Sequence, residues 1–207
     1  TLALTCTGLS NGTTYTFGVA GVNAAGIGTS TTTTSTPRTV PDAPTAFTAT
    51  PGNALVTLTW TAPPNGGAPI TGYLVTTIPA VGSCASTSAT ASYSISCTGL
   101  TNGTTYTFRV SAVNQAGTSA AATASSSPRT VPGTPTSLAG TPGNATVILT
   151  WLAPATNGGA AITGYKVTTT PATGTCNGAT YTQTSVTCSG LTNGTSYSFT
   201  VAAVNSA

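Results

Sequence analysis

The chain has 207 residues, of which only 2% are charged, against roughly 25% in an ordinary soluble domain. It carries one acid, Asp42, and no His, so a Ser-His-Asp triad, a carboxylate pair, a carboxylate-rich Ca²⁺ site and a His-bearing catalytic Zn²⁺ site all lack their side chains. The composition points to a non-enzyme with no cofactor and no metal. The net charge of +3 comes from Arg38, Arg109, Arg129 and Lys166 against Asp42, too scattered for a phosphate-binding footprint, which argues against a nucleic-acid partner. No apolar run approaches the roughly 18 residues of a membrane span. The chain is nonetheless 39% hydrophobic, unlike a disordered segment.

In chain order, the first feature is Cys6-Thr-Gly-Leu-Ser-Asn-Gly-Thr-Thr-Tyr-Thr-Phe17, which returns in closely similar form at 97–108 and 188–199, 91 residues apart each time. Pro37-Arg38-Thr39-Val40-Pro41 and Pro128-Arg129-Thr130-Val131-Pro132 keep that spacing, as do Trp60 and Trp151. The register slips to 92 between Asn65-Gly66-Gly67 and Asn157-Gly158-Gly159, holds to Cys84 and Cys176, and is 91 again at Cys97 and Cys188. One loop gained a residue and a later one lost a residue, as loops do. A 91-residue repeat is the size of one small domain. Residues 1–40 read as the last part of a domain, 41–131 as a complete one, and 132–207 as a third lacking its last strand. These partial ends, with no signal peptide visible, suggest a window on a longer repetitive polymer.

Within 41–131 the apolar period is two: Val56, Leu58 and Trp60 alternate with Thr57 and Thr59, and Tyr106, Phe108, Val110 and Ala112 form the longest row. Turn signals bound the runs at Pro51-Gly52-Asn53, Pro63 to Gly67, Asn102-Gly103 and Ala116-Gly117. Strands are expected at 45–50, 54–61, 70–77, 82–88, 92–97, 104–113 and 118–126. Seven short strands in about ninety residues predict an all-β sandwich.

These residues resemble the fibronectin type III domain. The matching features are Trp60 and Trp151 on the second strand, Pro69-Ile70-Thr71-Gly72-Tyr73 on the third, Gly99 to Tyr106, Phe108 to Asn114, and proline-marked starts at Pro41 to Pro44 and Pro132 to Pro135. The resemblance covers the whole chain and implies tandem immunoglobulin-like sandwiches. It also implies that Leu100 with Tyr106, and Leu191 with Tyr197, form corners in the core, each phenol bonding back to the backbone. We expect the partner to be a buried carbonyl. The fold itself says little about activity.

The cysteines depart from the family, most of whose members have none. Each repeat carries a pair, Cys84 with Cys97 and Cys176 with Cys188, while Cys6 matches Cys97 and has its partner outside the sequence, unpaired by truncation. A metal site is the other reading, but two thiols without His leave four ligands incomplete. Structural disulfides would each be worth roughly 3 kcal/mol and imply an oxidising, extracellular setting.

Four sequons stand at Asn11, Asn102, Asn144 and Asn193. They admit N-glycosylation, but three occupy the repeated Asn-Gly turn, where backbone geometry explains them. Trp60 and Trp151 admit sugar stacking, although their alternating strand favours packing. Arg38 and Arg129 admit a role in setting the angle between domains, against a reading as solvated linker residues. Outward strand positions are mostly Thr and Ser, which admits O-glycosylation. A surface with so little charge also favours self-association.

Two functions follow. One is a structural repeat segment of a long extracellular protein, a cell-surface filament, stalk or adhesin shaft. The alternative is a spacer or carbohydrate-binding accessory module of a secreted polysaccharide-degrading enzyme. Close repetition and the lack of an exposed aromatic patch favour the first, and the Thr/Gly/Ala-rich runs resemble bacterial surface repeat proteins.

Overall fold

The computed structural model describes residues 2–80, 83–84, 87–88 and 93–207. They form two compact units: Thr1–Ala49 with Leu58–Cys97 and Thr107–Ser125, and Thr50–Thr57 with Thr98–Tyr106 and Ser126–Ala207. Each unit contains one whole Pro-Arg-Thr-Val-Pro linker. No helix occurs among the described residues; the architecture is all-β.

The chain opens with β1 (Tyr15–Val19), β2 (Val22–Asn23), β3 (Gly26–Ile27) and β4 (Thr31–Ser35). β1 and β4 are antiparallel from Tyr15↔Ser35 to Val19↔Thr31. β2 and β3 form a short hairpin whose turn is held by Asn23 Oδ1, which accepts the Ala25 N–H at 2.9 Å.

The next elements are β5 (Thr45–Gly52), β6 (Leu55–Thr61), β7 (Ile70–Ile78), β8 (Thr87–Ser88), β9 (Ser94–Thr98), β10 (Tyr106–Asn114), β11 (Gly117–Thr118) and β12 (Ala122–Ser126). One sheet has the order β5-β6-β9; the other has β11-β10-β7-β8, with β12 also pairing β10. The period-two pattern decides which side chains face inward. Val56, Leu58 and Trp60 are at most 4% exposed, whereas Thr59 and Thr61 face solvent. Trp60 and Tyr73 connect the two sheets, their ring centroids 5.2 Å apart, which is aromatic packing distance.

Two expectations need comment. Much of the strand expected at 82–88 lies outside the described residues; Thr87 and Ser88 pair with Tyr73 and Gly72. The strand expected as one piece at 118–126 is two, β11 and β12, with a break between them. Ser119 causes it: its hydroxyl accepts the Ala112 N–H at 2.9 Å and donates to the Ala120 carbonyl at 2.7 Å. The hydroxyl takes the Ala112 N–H of β10 that a strand carbonyl would accept in a regular ladder, while the Ser119 N–H still donates to the Ala112 carbonyl at 2.8 Å.

Further along are β13 (Thr136–Gly143), β14 (Thr146–Leu152), β15 (Gly164–Thr170), β16 (Thr180–Tyr181), β17 (Ser185–Ser189) and β18 (Ser198–Val204). They make two antiparallel sheets, β13-β14-β17 and β16-β15-β18. Leu149, Trp151, Tyr165, Val167, Cys176, Cys188 and Leu191 fill the space between them. Trp151 meets Tyr165 at 5.5 Å, in the place that Trp60 and Tyr73 occupy one repeat earlier.

On the outer faces hydroxyls pair with hydroxyls. Thr14 bonds Thr36 at 2.9 Å, Thr48 bonds Thr59 at 2.6 Å, Thr105 bonds Ser127 at 2.8 Å and Thr107 bonds Ser125 at 3.1 Å. Thr168 bonds Thr200 in the same manner. Such pairs occupy cross-strand positions that ion pairs fill in ordinary sheets.

Candidate functional site: the joints between repeats

The cysteines stand in two disulfides. Cys84 is joined to Cys97 with Cα atoms 4.4 Å apart, and Cys176 to Cys188 with Cα atoms 5.1 Å apart. Cys97, Cys176 and Cys188 are fully buried. In each case the half-cystine ahead of β8 or β16, an edge strand of one sheet, is tied to β9 or β17 of the other. Cys6 is exposed and free. Trp60 is 4% and Trp151 3% exposed, and an indole so enclosed offers no face to a sugar ring.

The tyrosine corners form, each phenol bonding back to the backbone as an acceptor. Each phenol oxygen accepts a backbone N–H five residues upstream: Ser10 on Tyr15 at 3.0 Å, Thr101 on Tyr106 at 3.1 Å and Thr192 on Tyr197 at 3.0 Å. In all three corners the chain reversal before the tyrosine aims a backbone N–H at the phenol oxygen. Leu100, Tyr106 and Leu191 are buried, but Tyr197 is only half-buried. The Thr192 N–H holds the Tyr197 phenol below the ordinary value of 10.0. Burial first, and then neighbouring Tyr93, push Tyr73 above it.

The sequon asparagines act as turn clamps. Asn102 Oδ1 accepts the Ala54 N–H at 2.8 Å while its Nδ2 donates to Asn53 Oδ1 at 2.8 Å. Asn193 repeats both bonds with Ala145 and Asn144, each at 2.8 Å. The Leu100 and Leu191 N–H groups reach the Ala54 and Ala145 carbonyls at 3.0 and 3.1 Å. Held from both ends, Ala54 and Ala145 sit at φ 54, a left-handed conformation that costs a non-glycine residue about 1–2 kcal/mol. The amide nitrogens that a glycan would modify at Asn102 and Asn193 are those engaged in these clamps. Asn11 and Asn144 are exposed.

A further repeated pattern lies where each linker enters the following sandwich. Asn114, at the end of β10, is 5% exposed. Its Nδ2 donates to the Thr39 and Asn65 carbonyls, both at 2.8 Å, and its Oδ1 accepts the Ala116 and Gly117 N–H groups at 2.8 and 3.2 Å. Asn205, 9% exposed, does the same one repeat later. Its Nδ2 donates to the Thr130 and Asn157 carbonyls at 2.8 Å and its Oδ1 accepts the Ala207 N–H at 2.9 Å. Sequence reasoning placed Asn114 within the family pattern and gave it no role. The 91-residue spacing of Asn114 and Asn205 was the available signal. Of the linker arginines, Arg129 contributes its backbone N–H, which donates to the Gly52 carbonyl at 2.9 Å.

A depression of about 1010 Å³ beside the second joint is lined by Asn102, Gly103, Val131 and residues 154–161, none of them titratable. Among the described residues no group of three or more His, Cys, Asp or Glu is placed to hold a metal ion, and no helix is long and apolar enough to cross a membrane.

Sandwich topology, core tryptophan and tyrosine corner together define an immunoglobulin-like module. The fibronectin type III domain family matches residues 42–129 and 133–207, so the chain belongs to that family as tandem domains. No curated protein sequence matches it. The family is generally non-catalytic and commonly serves as structural or adhesive modules, and two disulfides are compatible with an extracellular protein.

Proposed function

We propose that the chain is a structural, non-catalytic repeat segment of a long extracellular protein, serving as a cell-surface filament, stalk or adhesin shaft. Residues 1–40, 41–131 and 132–207 are its successive domains. One observation carries this reading: the same joint is built twice, at Asn114 and at Asn205, from the same bonds. An array that needs only length and alignment from each unit has reason to repeat its connections, whereas a binding or catalytic module has reason to vary a surface. The enclosed tryptophans give the carbohydrate-binding alternative no indole face to stack on.

The filament form of this reading predicts association through hydroxyl-rich faces that changes little with ionic strength, since hardly any charge is available to screen. Light scattering and negative-stain microscopy between low and high salt test it. Assemblies that persist across the series support the filament. Dispersed monomers at every salt concentration remove the filament and leave the stalk. Specific retention of the chain on a polysaccharide would favour the accessory-module alternative instead.

A further inference from the structure

The Pro-Arg-Thr-Val-Pro linker looks like a hinge in sequence, yet its backbone is pinned on both sides. In the first joint the Gly12 N–H, from the Asn-Gly turn of the preceding sandwich, donates to the Pro37 carbonyl at 2.9 Å. The Thr39 N–H donates to the Gly66 carbonyl of the following sandwich at 2.8 Å. Arg38 alone lies between the two attachments. The second joint repeats them, Gly103 to Pro128 at 2.9 Å and Thr130 to Gly158 at 2.8 Å.

The two turns also touch each other. A Cβ on Gly67 would lie 2.7 Å from the Asn11 carbonyl carbon, and one on Gly159 would lie 2.7 Å from that of Asn102. A Cβ on Gly66 would fall 2.6 Å from the Val40 carbonyl oxygen, and one on Gly158 would fall 2.6 Å from that of Val131. All four glycines have positive φ. Backbone meets backbone here at a distance that only glycine permits, and Asn65 and Asn157 set the loop by accepting the Gly67 and Gly159 N–H groups at 2.9 Å.

From this we propose that each joint is a lock. The Asn-Gly turn of one sandwich is a seat for the Asn-Gly-Gly loop of the next, and the seated loop removes the linker's freedom to bend. The lock deepens the shaft reading and rests on it for its purpose. Its geometry is tested separately, within the chain, whatever that chain does outside the cell.

The molecule contains its own reference. Gly178, at φ 76, lies away from both joints, and nothing lies within 4 Å of a Cβ placed on it. Amide hydrogen exchange and proton NOE measurements on the whole chain should find Thr39 and Thr130 protected at least 100-fold over unstructured peptide rates. NOEs should connect Gly12 to Gly67 and Gly103 to Gly159. Gly159→Ala should lower the protection of Thr130 and Gly103 tenfold or more while amides of β14 and β15 stay protected. Gly178→Ala, also strained in its backbone, should leave the joint amides within twofold. Linker amides exchanging at peptide rates in the unmodified chain, or the absence of both NOEs, would overturn the lock. So would a Gly159→Ala chain with unchanged joint protection. If Gly159→Ala also exposes the β14 and β15 amides, the unmodified chain's exchange and NOEs decide alone.

Discussion

Asn114 Nδ2 and the Thr39 carbonyl oxygen are 2.8 Å apart across 75 residues of chain, and Asn205 and Thr130 reproduce the distance and the separation. A single side-chain amide thereby binds a linker, a loop and a turn that share no local sequence. Asn114→Ala would leave two carbonyls and two amides without their partner. Unsatisfied polar groups at a mostly buried site set a loss of about 2–3 kcal/mol. Urea denaturation should show a lower midpoint with the slope unchanged, and a loss under about 0.5 kcal/mol would show that water replaces the amide.

Tyr106→Phe keeps the ring and deletes the acceptor for the Thr101 N–H. The expected cost is about 1–2 kcal/mol. Tyr197→Phe should cost less, because the half-buried corner lets solvent reach the Thr192 amide. Equal losses at the two corners would mean that burial does not set the strength of this bond.

Trp60→Ala removes an indole packed on Phe47 and Tyr73. A deletion of this size in a core costs about 3–5 kcal/mol, readable as a lowered thermal midpoint with loss of near-ultraviolet dichroism. A stable variant that had lost a sugar ligand would reassign the tryptophan to binding.

Non-reducing peptide mapping should return Cys84 with Cys97 and Cys176 with Cys188. The two closed loops differ by one residue in sequence separation, 13 against 12. Replacing either pair by Ser should therefore cost about the same, roughly 3 kcal/mol in chain-entropy terms. Free thiols at these positions would undo the extracellular assignment as well.

Tyrosine titration separates two environments. Tyr197 is lowered from 10.0 and Tyr73 is raised from it. ¹³Cζ-labelled tyrosine spectra should thus show Tyr197 ionising before Tyr73. The raised Tyr73 contributes stability that is complete below pH 10.0 and lost as pH climbs through its folded-state value. The lowered Tyr197 acts oppositely, adding stability as pH passes from its folded-state value toward 10.0. Ionisation in the reverse order would contradict the corner hydrogen bond.

Alternation and repetition made the sandwich legible, because a period of two follows directly from strand geometry. Val56, Leu58 and Trp60 declare their face in five residues. The break at Ser119 was not legible, since it turns on one hydroxyl taking the place of a strand carbonyl opposite Ala112. Nor was the left-handed φ of Ala54, where the sequence shows alanine and the clamp comes from Asn102. The joint stayed hidden for the same reason. Asn114 acts on carbonyls of Thr39 and Asn65, and a carbonyl has no letter in the sequence.

The hydroxyl pairs on the outer faces have a consequence for the settings this protein can endure. Sheets tied by ion pairs come apart in acid, when carboxylates must be protonated. Thr48 with Thr59, Thr105 with Ser127 and Thr107 with Ser125 have no proton to gain, and the chain holds one carboxylate side chain and no imidazole. Folding then exchanges almost no protons between strongly acidic and neutral water. Its unfolding midpoint should therefore change little between strongly acidic and neutral water.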